Sequence, residues 1–271
     1  MTIKSADFDY LSNLVRERSA IVLEHGKEYL VEARLTPLAG REGFGSLEAL
    51  IAHLRANHFN GTHRKVVEAM TTNETTFFRD LNPFEMLKKV LLPALIEKRQ
   101  AARSLTIWSA ACSSGQEPYS IAMLMRENFP ALASWDVRIL ATDISQEMLA
   151  RTCAGRYNQM EINRGLPAAL LVKYFERQGL EWQIKPDLRA MLEVRELNLA
   201  EPWTQLPPVD VIFIRNVLIY FDIEMKKLVL RKLRQVLRPG GYLFLGGAET
   251  TLNLDSAFTR VNYDKAICYQ V

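Results

Sequence analysis

Five short stretches of this 271-residue chain carry residue types that could hold a ligand, the first of them equally an ordinary tight strand-to-helix turn. Ser109 to Pro118 follows an apolar run and supplies small residues that let a ligand approach the backbone, ahead of a helix opened by Pro118. The stretch lacks a GxGxxG fingerprint, and Glu117 stands where a helix N-terminus would otherwise receive a pyrophosphate. A carboxylate there favours a cationic ligand. Asp143 ends a second apolar run, where an acidic residue accepts hydrogen bonds from a ribose diol or, equally, caps the next helix. Asn198 and Leu199 end a third, offering amide groups to a base edge or forming a solvated loop. In the stretch Arg215 to Asp222, Asn216 and Tyr220 fall beside the same crevice, although Tyr220 also reads as a core aromatic. Finally, Thr71 to Asp80 sets hydroxyl and amide side chains ahead of Phe77, Phe78 and Arg79, richer in aromatics than a linker. An arginine held there clamps a carboxylate through its planar fork.

Other chemistry is excluded by residue counts. All four histidines, His25, His53, His58 and His63, lie in the first quarter of the chain, which opposes a Ser-His-Asp, Cys-His or His-ligated metal site in the remainder. They read as surface residues of the N-terminal part. Cys112, Cys153 and Cys268 form no CxxC pair, so no metal site is expected, and a reducing, cytoplasmic setting is. Cys112 lacks a histidine partner and has Glu117 nearby, which opposes a nucleophilic thiol. With 34 Lys and Arg against 31 Asp and Glu, the net charge of +3 is too small to announce nucleic acid. Charged residues interrupt the first twenty positions, and no later apolar run reaches the roughly 20 residues a membrane span needs.

The helices and strands around these stretches follow from periodicity. Phe8, Leu11 and Val15, then Leu47, Leu50, Ile51 and Leu54 behind a Ser46 cap, predict about four short helices forming a domain over 1–75. Asn82 reads as an N-cap with Pro83 at the first helical position. Over 76–271 the pattern becomes short buried strands alternating with helices: 105–111, a helix from 118, 137–142, a helix near 146, 192–197, 209–214, a helix over 222–237 and a strand over 242–245. This predicts an α/β domain, a doubly wound parallel sheet with helices on both faces, closed by a hairpin around 262–265. Residues 155–190 are too long for a connection and predict an inserted subdomain, a helix and a small antiparallel ribbon.

Thr71 to Asp80, Trp108 to Ser120, Ala141 to Ser145 and Arg215 to Asp222 together resemble the chemotaxis receptor methyltransferases, the CheR family, over nearly the whole chain in order. The resemblance implies a Rossmann-like class I methyltransferase sheet behind a small all-helical domain. It implies transfer of a methyl group from S-adenosylmethionine to glutamate side chains of chemoreceptors, giving methyl esters and S-adenosylhomocysteine without a metal. The family's cofactor contacts fall on Asn73, Thr75, Arg79, Glu117, Asp143, Asn198, Leu199, Asn216 and Val217, and the residues near the transferred methyl on Arg79 and Tyr220. A glutamate with an ordinary pKa of about 4.3 is ionised at neutral pH and needs no general base, which suits a catalytic region without histidine.

The implied partner is the cytoplasmic helical bundle of the receptors, met by a monomer through basic side chains such as Lys27, Arg34 and Arg41. Residues 1–70 carry nine Lys and Arg against nine Asp and Glu, so attraction must come from a patch. Some members also hold a receptor pentapeptide by strand addition on the insertion; the short loop at Gln178 to Glu181 predicts weak or no pentapeptide binding here. The competing readings are a non-catalytic S-adenosylmethionine sensor and a nucleic-acid methyltransferase. Near-neutral charge and the lack of an Asn/Asp-Pro-Pro-aromatic motif oppose the latter.

Overall fold

The computed structural model describes residues 3–203 and 206–271. The chain divides into two units: one holds the residues up to Thr72 with Leu199–Glu201 and Tyr220–Met225, the other Asn73–Asn198, Pro202–Ile219 and Lys226–Val271.

The first unit is built on four helices, Ser5–Ser19, Glu28–Arg41, Leu47–Ala56 and Gly61–Ala69. Phe8, Leu11 and Val15 recur every three or four residues and are buried, as are Leu47, Leu50, Ile51 and Leu54. Ser46 caps the third helix, its hydroxyl accepting from the Ala49 N–H at 3.2 Å. The fourth helix corrects the expectation of four surface histidines. His63 is buried, completes a capping box with Asn60 and places Nε2 at 3.0 Å from the Leu54 carbonyl. Arg34 is likewise committed inward: its guanidinium donates to the carbonyls of Met70 and Thr71, both at 2.7 Å, and to the Thr72 hydroxyl. That occupation argues against Arg34 as a free docking cation.

Among the described residues the second unit has ten strands: β1 (Ser104–Ala110), β2 (Asp136–Asp143), β3 (Arg156–Asn158), β4 (Phe175–Gln178), β5 (Glu181–Ile184), β6 (Leu192–Glu196), β7 (Val209–Ile214), β8 (Leu237–Leu245), β9 (Thr259–Tyr263) and β10 (Ala266–Gln270). Seven form one sheet in the order β6-β2-β1-β7-β8-β10-β9. β6, β2, β1, β7 and β8 run parallel, whereas β10 is antiparallel to both β8 and β9. The sheet is therefore mixed, because the terminal hairpin returns along its edge without a crossover helix. The chain leaves β1 toward β2 and β6, then returns to β7 on β1's other side. Strand order reverses between β1 and β7, the place where open α/β sheets bind ligands.

Several local expectations shift. The helix after β1 spans Gln116–Asn128 and starts before Pro118, because Gly115 turns the chain at φ +93°. A Cβ at Gly115 would lie 2.9 Å from Thr152, so only glycine permits this approach. Asn82 is not an N-cap: the helix runs Asn82–Met86 with Leu81 at the cap, φ +31° and no side-chain cap bond. The insertion holds three strands, β3-β5-β4, because Gly155 ends the helix Gln146–Ala154 in a left-handed turn and β3 pairs at once with β5. At the centre of the sheet Phe84, Phe213 and Phe244 stack, with ring centroids at 5.9 and 4.5 Å.

Candidate functional site

Three knots of hydrogen bonds lie at the carboxyl ends of β1, β2, β7 and β8. The first joins β1 to β2. After β1 the backbone turns through Ala111, Ser113 and Gly115, all with positive φ. Asp143 fixes this turn: one carboxylate oxygen accepts from the Ser113 N–H at 2.8 Å, the other from the Ser145 N–H at 2.9 Å. Burial outweighs these bonds and raises its pKa. A third backbone N–H, from Ile144, also reaches this carboxylate, which leaves about one of its four lone-pair positions for a ligand hydroxyl. Ser145, not Asp143, caps the following helix, its hydroxyl accepting from Met148. Leu197 donates its N–H to the Asp143 carbonyl at 3.0 Å, which sets half-buried Asn198 next along the chain.

The second knot joins β1 to β7 through Glu117 and Arg215. The Glu117 carboxylate accepts from the Ser109 hydroxyl at 2.8 Å and from Arg215 at 3.1 Å. The Arg215 guanidinium, its side chain 2% exposed, also donates to the Arg79 carbonyl at 2.9 Å and the Asp80 carboxylate at 2.6 Å. Arg215 thus ties the acidic group after β1 to the backbone that carries Arg79.

That backbone is strained. Phe78, Asp80 and Leu81 all have positive φ without being glycine. Further contacts hold it besides Arg215. The Phe78 N–H donates to the Ser120 hydroxyl at 2.9 Å, and the Asn73 carbonyl accepts from the Ser113 hydroxyl at 2.8 Å. The insertion adds an Arg164–Glu74 ion pair at 2.7 Å and packs Tyr157 and Phe175 edge-on against the buried Phe77 ring. Gly165 passes so close that a Cβ there would meet the Phe77 carbonyl at 2.1 Å. The Arg79 side chain folds back on this segment, donating to the Glu74 carbonyl at 3.0 Å, and Thr75 lies half-buried between them.

The third knot joins β7 to β8. Asn216 and Val217 donate their N–H groups to the Glu249 carboxylate, each at 2.8 Å. Asn216 has φ +59°, and its side-chain oxygen is buried with no hydrogen-bond partner. An orphaned acceptor of this kind calls for a donor from a ligand. Beside the knot a pocket of about 160 Å³ is lined by Asp80, Arg215, Gly246, Glu249, Lys265 and Tyr269 among others. That is below the roughly 300 Å³ of a small-molecule site and suits a side chain better than a nucleoside.

The second unit therefore carries Asn73, Thr75, Arg79, Glu117, Asp143, Asn198, Asn216 and Val217. Leu199 and Tyr220 belong to the helical unit, where the Tyr220 carbonyl accepts from the Val22 N–H at 2.9 Å and Arg34 lies within electrostatic reach of the Tyr220 phenolic oxygen. Cys112 is buried, and burial with the nearby Asp143 charge pushes its thiol pKa well up, so it is no nucleophile. Arg215, Asp80, Ser113 and Glu249 escaped the sequence reading as site residues. Arg215 left one signal, a charge directly after the fully apolar end of β7, where burial demands a partner. Among the described residues no group of three or more His, Cys, Asp or Glu is placed to hold a metal ion. No helix of the described residues is long and apolar enough to cross a membrane.

S-adenosylmethionine fits these residues: Asp80, Glu117 and Asp143 outnumber the one buried guanidinium and suit a cation, and Asn216 offers an unpaired acceptor. Comparison with known proteins agrees. Residues 6–71 match the family model "CheR methyltransferase, all-alpha domain" and residues 73–267 match "CheR methyltransferase, SAM binding domain". The chain is 42% identical to chemotaxis protein methyltransferase 1 of Pseudomonas aeruginosa, covering 100% of this chain and 99% of that protein. It is 40% identical to chemotaxis protein methyltransferase Cher2 of Pseudomonas putida, covering 100% and 99%, and 38% identical to a chemotaxis protein methyltransferase of Vibrio parahaemolyticus, covering 100% and 98%. With both domains matched in order and relatives this similar over their whole length, the chain belongs to the CheR family of S-adenosylmethionine-dependent chemotaxis methyltransferases.

Proposed function

We propose that this protein methylates glutamate side chains on the cytoplasmic helical bundle of chemoreceptors, releasing S-adenosylhomocysteine. The observation that carries this reading is the Glu117–Arg215–Asp80 knot, which holds the Arg79 segment beside an acidic, cation-favouring site. The donor supplies an activated methyl on a sulfonium. A glutamate oxygen attacks that methyl carbon, the carbon–sulfur bond breaks and its electron pair stays on sulfur. The attacking carboxylate is ionised at neutral pH, so no proton has to be moved. What the protein contributes is alignment of two bound reactants, in favourable models about 7–11 kcal/mol, and exclusion of water.

Glu117 and Asn216 are the groups we assign to the donor's amine end and Asp143 to its ribose. We assign Asn73, Thr75, Asn198, Leu199 and Val217 to the donor as well. Arg79 and Tyr220 are assigned to orienting the reactants, on their places in the family's motifs. The test is incubation with methyl-labelled donor and receptor-containing membranes. Alkali-labile label on the receptor, released as methanol, is expected. Alkali-stable label, label on nucleic acid, or donor binding without transfer would each contradict the proposal.

A further inference from the structure

Glu249 lies in the loop after β8, outside the four stretches on which the resemblance was drawn, yet its carboxylate gathers more backbone donors than any other described side chain of the site. One oxygen accepts from the N–H groups of Asn216 at 2.8 Å and Gly246 at 2.6 Å. The other accepts from Val217 at 2.8 Å and Ile219 at 3.3 Å. Three of the four donors follow β7, and the fourth is the residue directly after β8. The half-buried carboxylate is thus an internal anion around which the Asn216–Ile219 turn closes. The packing is tight: a Cβ on Gly246 would sit 2.7 Å from a Glu249 oxygen and 2.8 Å from both the N–H nitrogen and the side-chain amide nitrogen of Asn216. The same turn puts Asn216 in the left-handed region at φ +59° and buries its unpaired side-chain oxygen.

We propose that Glu249 is a positioning residue of the donor site: by drawing four N–H groups onto one carboxylate it fixes the turn that presents Asn216 and Val217 to S-adenosylmethionine. This rests on the reading that these two residues face the donor. A carboxylate is required because its two oxygens each accept from two donors. The glutamine amide has one oxygen and one NH₂, so whichever way it turns, two backbone donors face another donor.

The test compares Glu249→Gln and Gly246→Ala with the unaltered protein, the second variant crowding the same cradle from the other side. S-adenosylhomocysteine affinity is read by calorimetry, and donor KM, receptor KM and kcat by labelled-methyl transfer. Both variants are expected to weaken S-adenosylhomocysteine binding by about ten-fold or more and to raise donor KM correspondingly. Receptor KM should stay within about two-fold, and kcat should largely recover at saturating donor. A smaller loss of affinity in both, with only the unfolding midpoint lowered, would show a merely structural Glu249 and overturn the proposal. Should Glu249→Gln fail to fold, Gly246→Ala decides on the same criteria. Failure of the unaltered protein to bind S-adenosylhomocysteine would instead sink the donor assignment itself.

Discussion

Replacing Arg215 by methionine tests the central knot through an energy that can be worked from its geometry. The methionine fills much of the apolar stem but leaves the Glu117 carboxylate, its side chain 11% exposed, with only the Ser109 hydroxyl as partner. Stranding a buried charge in this way costs about 3–5 kcal/mol. Asp80 adds little, because its side chain is 57% exposed and exposed pairs contribute about 0–1 kcal/mol. Glu117→Gln alone leaves Arg215 with Asp80 and the Arg79 carbonyl and should cost less, about 1–3 kcal/mol. In the double variant no charge is stranded, so its loss should fall short of the sum of the single losses by about 1–3 kcal/mol. Urea unfolding followed by tryptophan fluorescence measures all three. Additivity within about 0.5 kcal/mol, or a loss below about 1 kcal/mol for Arg215→Met, would refute the view that Arg215 neutralises a buried Glu117.

Gly165→Ala forces a Cβ against the Phe77 carbonyl and should displace the 73–80 segment. Donor turnover should fall at least about ten-fold in the labelled-methyl assay while circular dichroism keeps its helical content; unchanged turnover would contradict this. Burial raises the folded-state pKa of Asp143, so the folded protein binds that proton more tightly than the unfolded chain. The contribution to stability is present at low pH and lost as pH rises through the folded value. Unfolding free energies at pH 4 and 7 should therefore show the unaltered protein losing ground to Asp143→Asn on going to pH 7; the opposite slope would contradict the assignment. Cys112→Ala should keep turnover within about three-fold, since a buried thiol with a raised pKa supplies no thiolate.

Much of the fold was legible because short-range patterns decide it. Helical spacing of Phe8, Leu11 and Val15, the Ser46 cap and the apolar runs that became β1, β2 and β7 each need only a few neighbouring residues to declare themselves. The elements that escaped depend on partners far along the chain. Glu249 meets Asn216, 33 residues earlier, and Arg215 meets Glu117, 98 residues earlier, through no periodicity. Asn82 looked like a cap because Asn-Pro commonly opens helices, but tethering of the strained 78–81 turn moved the cap to Leu81. His63 looked superficial as a polar residue in a short helix; its capping box and bond to Leu54 make burial affordable.

The most direct test of a donor site at the carboxyl ends of β1, β2 and β7 is calorimetric titration with S-adenosylhomocysteine of the unaltered protein and Glu117→Gln side by side. One site per chain is expected for the former and at least about ten-fold weaker binding for the latter. Equal affinity, or no heat from either, would contradict the account.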